Sequence, residues 1–167
     1  GFGLYHREAA GTFAPQRLGQ RQVPLRQRRG PVGQHAALRE ASVVEGMLAG
    51  VTEGAVVSFK GIPYAAPPVG ELRWRPPRPV KPWAGVRSAA KYGAICEQKF
   101  NAKDNGVGPL PKSEDCLPLN VFAPTQAKAA PVMVWIHGGG FVNGSGTAAL
   151  YDGSALARQG VVLVTLN

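Results

Sequence analysis

The 167-residue chain is poor in cysteine and histidine, and it contains no long hydrophobic run. Two cysteines, Cys96 and Cys116, are too few for a fold built on disulfides, and their spacing from the three histidines does not suit a metal site. They form either one bridge or two buried thiols. No stretch approaches the roughly 18 consecutive apolar residues of a membrane span. We therefore predict neither a bound metal nor a membrane span. The basic, apolar and small-residue pattern of a secretory signal is also missing at residue 1.

The positive charge of the chain, formally +9, is divided between two regions of different character. Residues 1–42 hold seven Arg and two Glu, whereas residues 43–167 hold twelve basic and eight acidic residues. The first region shows neither helical nor strand periodicity, so we predict a disordered extension outside the fold, or an upstream or mistranslated segment. Its cluster of Arg26, Arg28 and Arg29 is more typical of a solvated tail than of an RNA-binding site, and no nucleic-acid partner is predicted.

Residues 43–167 have the pattern of a loop-rich domain, since Gly (22) and Pro (15) are both abundant in the chain. Two short apolar segments, separated by residues 52–54, predict a pair of strands joined by a turn. Residues 61–83 carry seven prolines and read as an ordered loop. We expect its aromatic residues to be buried against a sheet and to hold the loop in place, rather than to stack on a ligand. These residues are Tyr64, Trp74 and Trp83.

Three further apolar runs, at residues 117–123, 131–137 and 161–166, predict neighbouring central strands. Between the last two, residues 154–159 form a short helical pattern, with Asp152 or Ser154 as the N-terminal cap and Gly160 as the terminator. An antiparallel region that leads into a β-α-β unit predicts an α/β fold. Because the sequence ends after the last run, we expect residues 161–166 to form an unpaired sheet edge in a truncated domain.

The segment that points to chemistry is the strand at residues 132–136 followed by His137, Gly138, Gly139 and Gly140. Three consecutive glycines at a strand end allow positive φ and let backbone N–H groups approach a ligand closely. Acyl transfer needs such donors, because the substrate carbonyl becomes an oxyanion in the tetrahedral intermediate. A His-Gly-Gly-Gly turn after a strand is typical of lipases and esterases.

The nucleophile and the general base that normally accompany this turn are missing from the sequence. No Gly-x-Ser-x-Gly pentapeptide is present, and neither Ser145 nor Ser154 has the required spacing. His6 and His35 lie in the predicted extension, and we interpret His137 as a structural residue of the turn. The chain alone is therefore expected not to catalyse ester hydrolysis.

Several motifs make residues 43–167 resemble the N-terminal part of a type-B carboxylesterase, a cholinesterase-like member of the α/β-hydrolase superfamily. The matching blocks are FKGIPYA at residues 59–65, PPVG at 67–70, LRW at 72–74, SEDCL at 113–117, LNV at 119–121 and WIHGGGF at 135–141. Pro118 departs from this pattern, and a proline there is tolerable only at a first or edge strand position.

The resemblance implies the following assignments. Gly139 and Gly140 supply oxyanion-hole amides, supported by Gly138 and His137, and Cys96 and Cys116 form a disulfide, which implies a secreted or periplasmic protein. Arg73 and Glu114 form a partly buried ion pair whose loss would be strongly destabilising. The implied activity is serine-dependent hydrolysis of a small carboxylic ester without a cofactor, by a domain whose remainder lies outside this chain. The alternative is a non-catalytic, cholinesterase-like adhesion module.

Overall fold

The structure, a computed structural model, describes residues 37–99 and 111–167. Within these ranges one mixed sheet contains seven strands, with the spatial order β1-β2-β3-β5-β7-β6 and with β4 paired to β2. The strands are β1 (Ala37–Val43), β2 (Gly46–Glu53), β3 (Val56–Pro63), β4 (Val86–Ser88), β5 (Pro118–Pro124), β6 (Val132–Ile136) and β7 (Val162–Leu166). The sheet carries a single described α-helix, α1 (Ser154–Arg158), and short 3₁₀ turns at Gly70–Leu72 and Ala149–Tyr151.

The main strands of the N-terminal half of the sheet pair antiparallel, as predicted, whereas the short strand β4 pairs in parallel with β2. The two strands expected around residues 52–54 are β2 and β3, which pair antiparallel on either side of Gly54, a residue with φ of +59°. Strand β3 then pairs antiparallel with β5, and the register shifts between Phe59 and Ile62. At this irregularity the amide of Gly61 donates to Asn120 Oδ1 at 3.0 Å, so the backbone group that leaves the ladder keeps a partner.

The predicted boundary between extension and fold, at residue 43, is wrong for residues 37–42. These residues form β1, which pairs with β2 in the register from Ala37 opposite Thr52 to Val43 opposite Gly46. Arg39 also anchors β1 to the residue after β5, since its Nη1 donates a hydrogen bond to Thr125 O at 2.6 Å. Strand β1 forms because its backbone pairs with β2. Its sequence has only a weak apolar pattern and therefore did not predict a strand. The predicted extension at residues 1–36, including the Arg26, Arg28 and Arg29 cluster, lies outside the described residues.

The last two strands form the predicted β-α-β unit, but the sheet edge is not where the sequence placed it. Strands β6 and β7 pair in parallel and are connected through α1, while β7 also pairs antiparallel with β5. The run at residues 161–166 is therefore interior, and β6 is the edge of the described sheet. The reason is that the crossover through α1 inserts the later strand between two earlier ones, so that chain order and spatial order differ.

Helix α1 begins and ends much as its sequence predicts. Asp152 Oδ1 accepts a hydrogen bond from the amide of Ser154 at 2.9 Å, although the residue at the N-cap position itself is Gly153. At the other end Gly160 has φ of +89°, the left-handed geometry that stops a helix. On its sheet side the helix buries Ala157 against Phe122 and Val56, which forms one of the two larger apolar clusters.

The opposite cluster lies under the antiparallel strands and contains Leu48, Val57, Phe59, Ile62 and Ala89. Trp83 packs against it and donates from Nε1 to Met47 O at 2.9 Å, as expected for an aromatic residue that holds the proline-rich loop. The same expectation is wrong for Trp74, which is 96% exposed, and Tyr64 is only partly covered. Pro118 occupies the first position of β5, where the missing amide donor is tolerated.

Candidate active site

The candidate site is the glycine turn, which we define as residues 137–144 and which follows directly on β6. Gly139 and Gly140 have φ of +122° and +60°, values that side chains disfavour. A Cβ atom on Gly139 would lie 1.8 Å from the backbone oxygen of Asn143, whereas a Cβ on Gly140 would point into open space. The turn therefore requires glycine at residue 139 for steric reasons, and at residue 140 for its backbone conformation alone.

Gly138, Gly139 and Gly140 are exposed residues, and none of their amides donates a hydrogen bond to the part of the chain that the structure describes. The turn is closed instead through the carbonyl of Gly139, which accepts from the amides of Val142 and Asn143 at 3.0 and 3.2 Å. Within residues 37–99 and 111–167, the three glycine amides are therefore not used to close the turn.

His137 contributes to the shape of the turn. Its Nδ1 lies 2.6 Å from Gly138 O, a distance at which a protonated Nδ1 donates a hydrogen bond to that carbonyl. The imidazole also packs against Gly144, where an added Cβ would lie 2.4 Å from Nδ1. These contacts are with the turn itself, which fits the interpretation of His137 as a supporting residue.

Ser145, directly after the turn, is 1% exposed and belongs to a buried polar network. Its hydroxyl donates to Asn167 Oδ1 at 2.9 Å and shares a hydrogen bond with Thr147 Oγ1 at 2.6 Å. Neither partner is a general base, so the structure gives Ser145 no activation as a nucleophile.

The same network joins the segment after the turn to the sheet. Asn167 Oδ1 also accepts from the amide of Gly146 at 3.0 Å, and Asn167 Nδ2 donates to Ala94 O at 3.1 Å. Asn120 Nδ2 donates to Thr165 Oγ1 at 3.0 Å. Neither asparagine was predicted from the sequence to have a structural role here. The available signal was a carboxamide inside or directly after an apolar strand, because such a group must find partners when it is buried.

Cys96 and Cys116 form a disulfide, with Cα atoms 4.9 Å apart. It connects the segment before residue 99 to the start of β5, and Cys116 is buried. Gln98 follows Cys96 by two residues and hydrogen-bonds to Gly144, so the bridged segment lies next to the glycine turn.

Arg73 Nη2 lies 2.9 Å from Glu114 Oε1, so the ion pair is present. Its side chains are 54% and 43% exposed, so the pair is only partly buried and too accessible to water for the strongly destabilising loss that was expected. A pair that is this exposed contributes at most about 1 kcal/mol, because solvent and salt screen the two charges.

Among residues 37–99 and 111–167, no group of three or more His, Cys, Asp or Glu side chains is arranged to hold a metal ion. Within the same ranges no helix has the length and apolar character needed to cross a bilayer.

A sheet whose parallel strands follow an antiparallel region, with a glycine turn at the end of one parallel strand, is the first part of an α/β-hydrolase fold. The comparison with known proteins agrees. A solved PNB esterase superimposes with a TM-score of 0.72 at 47% sequence identity, over 77% of this chain and 27% of the esterase chain. The Carboxylesterase family matches residues 36–167, and the chain belongs to this family.

Its similar relatives include two bacterial esterases. The chain is 53% identical over 125 residues to the para-nitrobenzyl esterase of Bacillus subtilis (strain 168), which covers 73% of the chain and 26% of the relative. It is 50% identical over 132 residues to the fumonisin B1 esterase of Sphingopyxis macrogoltabida, covering 77% of the chain and 23% of the relative. The chain thus spans about a quarter of the length of these relatives.

Proposed function

We propose that this chain supplies the oxyanion-hole part of a serine carboxylic-ester hydrolase. The observation that carries the proposal is the pair of exposed glycines, Gly139 and Gly140, whose amides make no hydrogen bond to the described residues. Two fixed N–H groups stabilise the negative charge that develops on the carbonyl oxygen of an ester during acyl transfer. Gly138 and His137 support the turn that holds them.

The nucleophile and the base come from the remainder of a hydrolase domain. Strand β6 has a free side at the edge of the described sheet, and a further strand that paired with it in parallel would end beside the glycine turn. A Gly-x-Ser-x-Gly turn at the end of such a strand would place a serine hydroxyl next to the two amides. The geometry therefore suits an enzyme completed at the edge of β6, and we propose that the 167-residue chain is inactive alone.

The substrate class is a small carboxylic ester, and the proposed acyl transfer needs no metal or organic cofactor. The Cys96–Cys116 bridge supports a secreted or periplasmic location, because disulfides persist in oxidising compartments.

A chimera tests the proposal: this chain replaces the matching segment of the Bacillus subtilis para-nitrobenzyl esterase. We expect the chimera to hydrolyse a short-chain nitrophenyl ester and to lose this activity with a serine-directed phosphonate. The 167-residue chain, assayed in parallel, is expected to show no phosphonate-sensitive turnover. Phosphonate-sensitive turnover by the chain alone would refute the need for the remainder, and a folded chimera without turnover would refute the oxyanion-hole assignment.

A further inference from the structure

The side-chain amide of Gln98 makes a two-point contact with the backbone of Gly144, the last residue of the glycine turn. Gln98 Oε1 accepts from the amide of Gly144 at 2.8 Å, and Gln98 Nε2 donates to Gly144 O at 2.9 Å. The remaining Nε2 hydrogen is directed to Cys96 O at 3.1 Å. Both hydrogens of Nε2 and the oxygen Oε1 thus have hydrogen-bond partners. Rotating the carboxamide by 180° would place donor against donor and acceptor against acceptor.

Gly144 in turn supports the beginning of the glycine turn. It has φ of +116°, and its α-carbon lies so close to His137 and Gly138 that an added Cβ would be 2.4 Å from His137 Nδ1 and 2.5 Å from Gly138 O. A displacement of Gly144 would therefore shift His137 and Gly138, the residues that directly precede Gly139 and Gly140. The space beside the Gly144 α-carbon is too small for a side chain, so His137 and Gly138 lie directly against this residue. Groups packed in this way leave little gap to absorb a displacement.

Gln98 is itself held in place. Cys96, two residues earlier, is bonded to Cys116 at the entrance to β5, and Lys112 Nζ donates to Gln98 O at 2.5 Å. The neighbouring backbone is tied by two hydrogen bonds of 3.0 Å, from Ile95 N to Pro111 O and from Ser113 N to Ile95 O. A continuous set of contacts thus runs from the sheet through the disulfide and Gln98 to the turn.

We propose that Gln98 is a positioning residue for the oxyanion hole, which it serves by fixing Gly144 and thereby the glycine turn. This inference rests on the proposed function, since it assigns Gln98 to the same site. Gln98 touches no reacting atom in this account. Its loss should therefore lower the rate of the chemical step through a displaced turn, and leave the binding of the ester largely unchanged.

Gln98→Ala in the chimera is expected to lower kcat by about a hundredfold with little change in KM, since small displacements of a catalytic group have effects of this size. Gln126→Ala is the matched control, because Gln126 is an exposed glutamine in the turn after β5. In the 167-residue chain, Gln98→Ala should also speed hydrogen exchange of the Gly144 amide by about tenfold, the loss of one hydrogen bond.

Gln98→Glu separates positioning from simple destabilisation. An ionised carboxylate accepts from the Gly144 amide but cannot donate to Gly144 O, whereas a protonated carboxyl group can do both. The ratio of the variant kcat to the unsubstituted kcat should therefore rise as the pH falls through the pKa of the introduced carboxyl group. The corresponding ratio for Gln98→Ala should stay flat.

The outcomes are distinguishable from those of the proposed function. An active chimera in which Gln98→Ala keeps kcat within about twofold, less than a single hydrogen bond is worth, would overturn the positioning role and leave the oxyanion-hole proposal intact. A flat pH ratio for Gln98→Glu would also overturn it. A folded but inactive chimera would refute the proposed function and with it the service of Gln98 to an oxyanion hole. Hydrogen exchange of the Gly144 amide would still decide whether Gln98 holds the turn.

Discussion

At the scale of single residues, the glycine turn separates two kinds of demand for glycine. Gly139 is required because the backbone of Asn143 occupies the place of a side chain, and Gly140 only because of its positive φ. A side chain at residue 139 would clash with the backbone of Asn143 unless the turn moved. The second demand is a conformational strain of about 1–2 kcal/mol for an L-residue.

Gly139→Ala and Gly140→Ala in the chimera should therefore differ. We expect Gly139→Ala to reduce kcat by at least about a hundredfold, the effect of losing one oxyanion donor, because the turn must rearrange. Gly140→Ala should retain a larger share of kcat, since its Cβ meets no described atom within 4 Å. Steady-state kinetics on both variants provides the comparison, and equal losses would show that the steric distinction does not control the site.

Tyr92 offers a residue-scale prediction on pH. It packs beside Val56, Phe122 and Ala157, and burial, together with the negative charge of Asp152, raises the pKa of Tyr92 to about 12. An unfolded tyrosine loses its proton near pH 10. Between pH 10 and pH 12 the unfolded chain therefore binds fewer protons than the folded chain, and this residue makes stability fall as the pH rises through that window.

The measurement is the ultraviolet titration of phenolate, taken as the difference between the unsubstituted chain and Tyr92→Phe. We expect a midpoint near pH 12. Asp152→Asn should lower that midpoint, because it removes the negative charge beside Tyr92. The pKa of Tyr92 should still stay above 10, because the side chain remains buried. A Tyr92 midpoint near pH 10 would contradict the described packing.

At the scale of elements, strand β6 lies at an edge of the sheet formed by residues 37–99 and 111–167, and both of its faces are apolar. All five of its residues are exposed, from Trp135 at 42% to Ile136 at 77%. Met133 and Trp135 line an apolar cleft of about 300 Å³ together with Tyr151 and Leu156. Val132, Val134 and Ile136 lie on the other face of the strand, because successive side chains of a strand point to opposite faces. An apolar edge strand of this kind is a template for pairing with another chain.

We therefore expect the 167-residue chain to self-associate at micromolar concentrations and Val134→Lys to shift it toward monomer, because a charge at the edge opposes pairing. Val44→Lys is the control, since Val44 is 97% exposed in the turn between β1 and β2. Analytical ultracentrifugation gives the readout. Association that survives Val134→Lys, or that Val44→Lys also abolishes, would show that another surface is responsible.

The same elements show what could be predicted from sequence and what could not. Apolar runs and glycines gave the strands β2, β3, β5, β6 and β7, because the side-chain period of a strand is a local property. The order β5-β7-β6 was not predictable from the runs themselves, since pairing depends on where the crossover through α1 returns the chain. The contact of Gln98 with Gly144 could not be predicted from local sequence patterns either, because the two residues are 46 positions apart in the chain. The disulfide was expected only from the family resemblance.

At the scale of the whole molecule, one covalent link joins the loop after β4 to the segment just before β5, near the candidate site. The Cys96–Cys116 bridge closes a segment with a sequence separation of 20 residues, and Gln98 extends from this segment to the glycine turn. Reduction should therefore act in two ways. It gives the unfolded chain more conformational freedom, and it releases the support of Gln98 in the folded chain.

For the first effect we expect the bridge to contribute about 3 kcal/mol to the free energy of unfolding, the value for a closed loop of this length. Urea unfolding of the 167-residue chain with and without dithiothreitol measures it, and Cys96→Ala combined with Cys116→Ala should reproduce the reduced midpoint. For the second effect, hydrogen exchange of the Gly144 amide should accelerate on reduction at urea concentrations well below the transition, where the chain is still folded. An unchanged Gly144 rate there would show that Gln98 keeps its place without the bridge, and the contacts of Lys112 and Ile95 would then be sufficient to hold it.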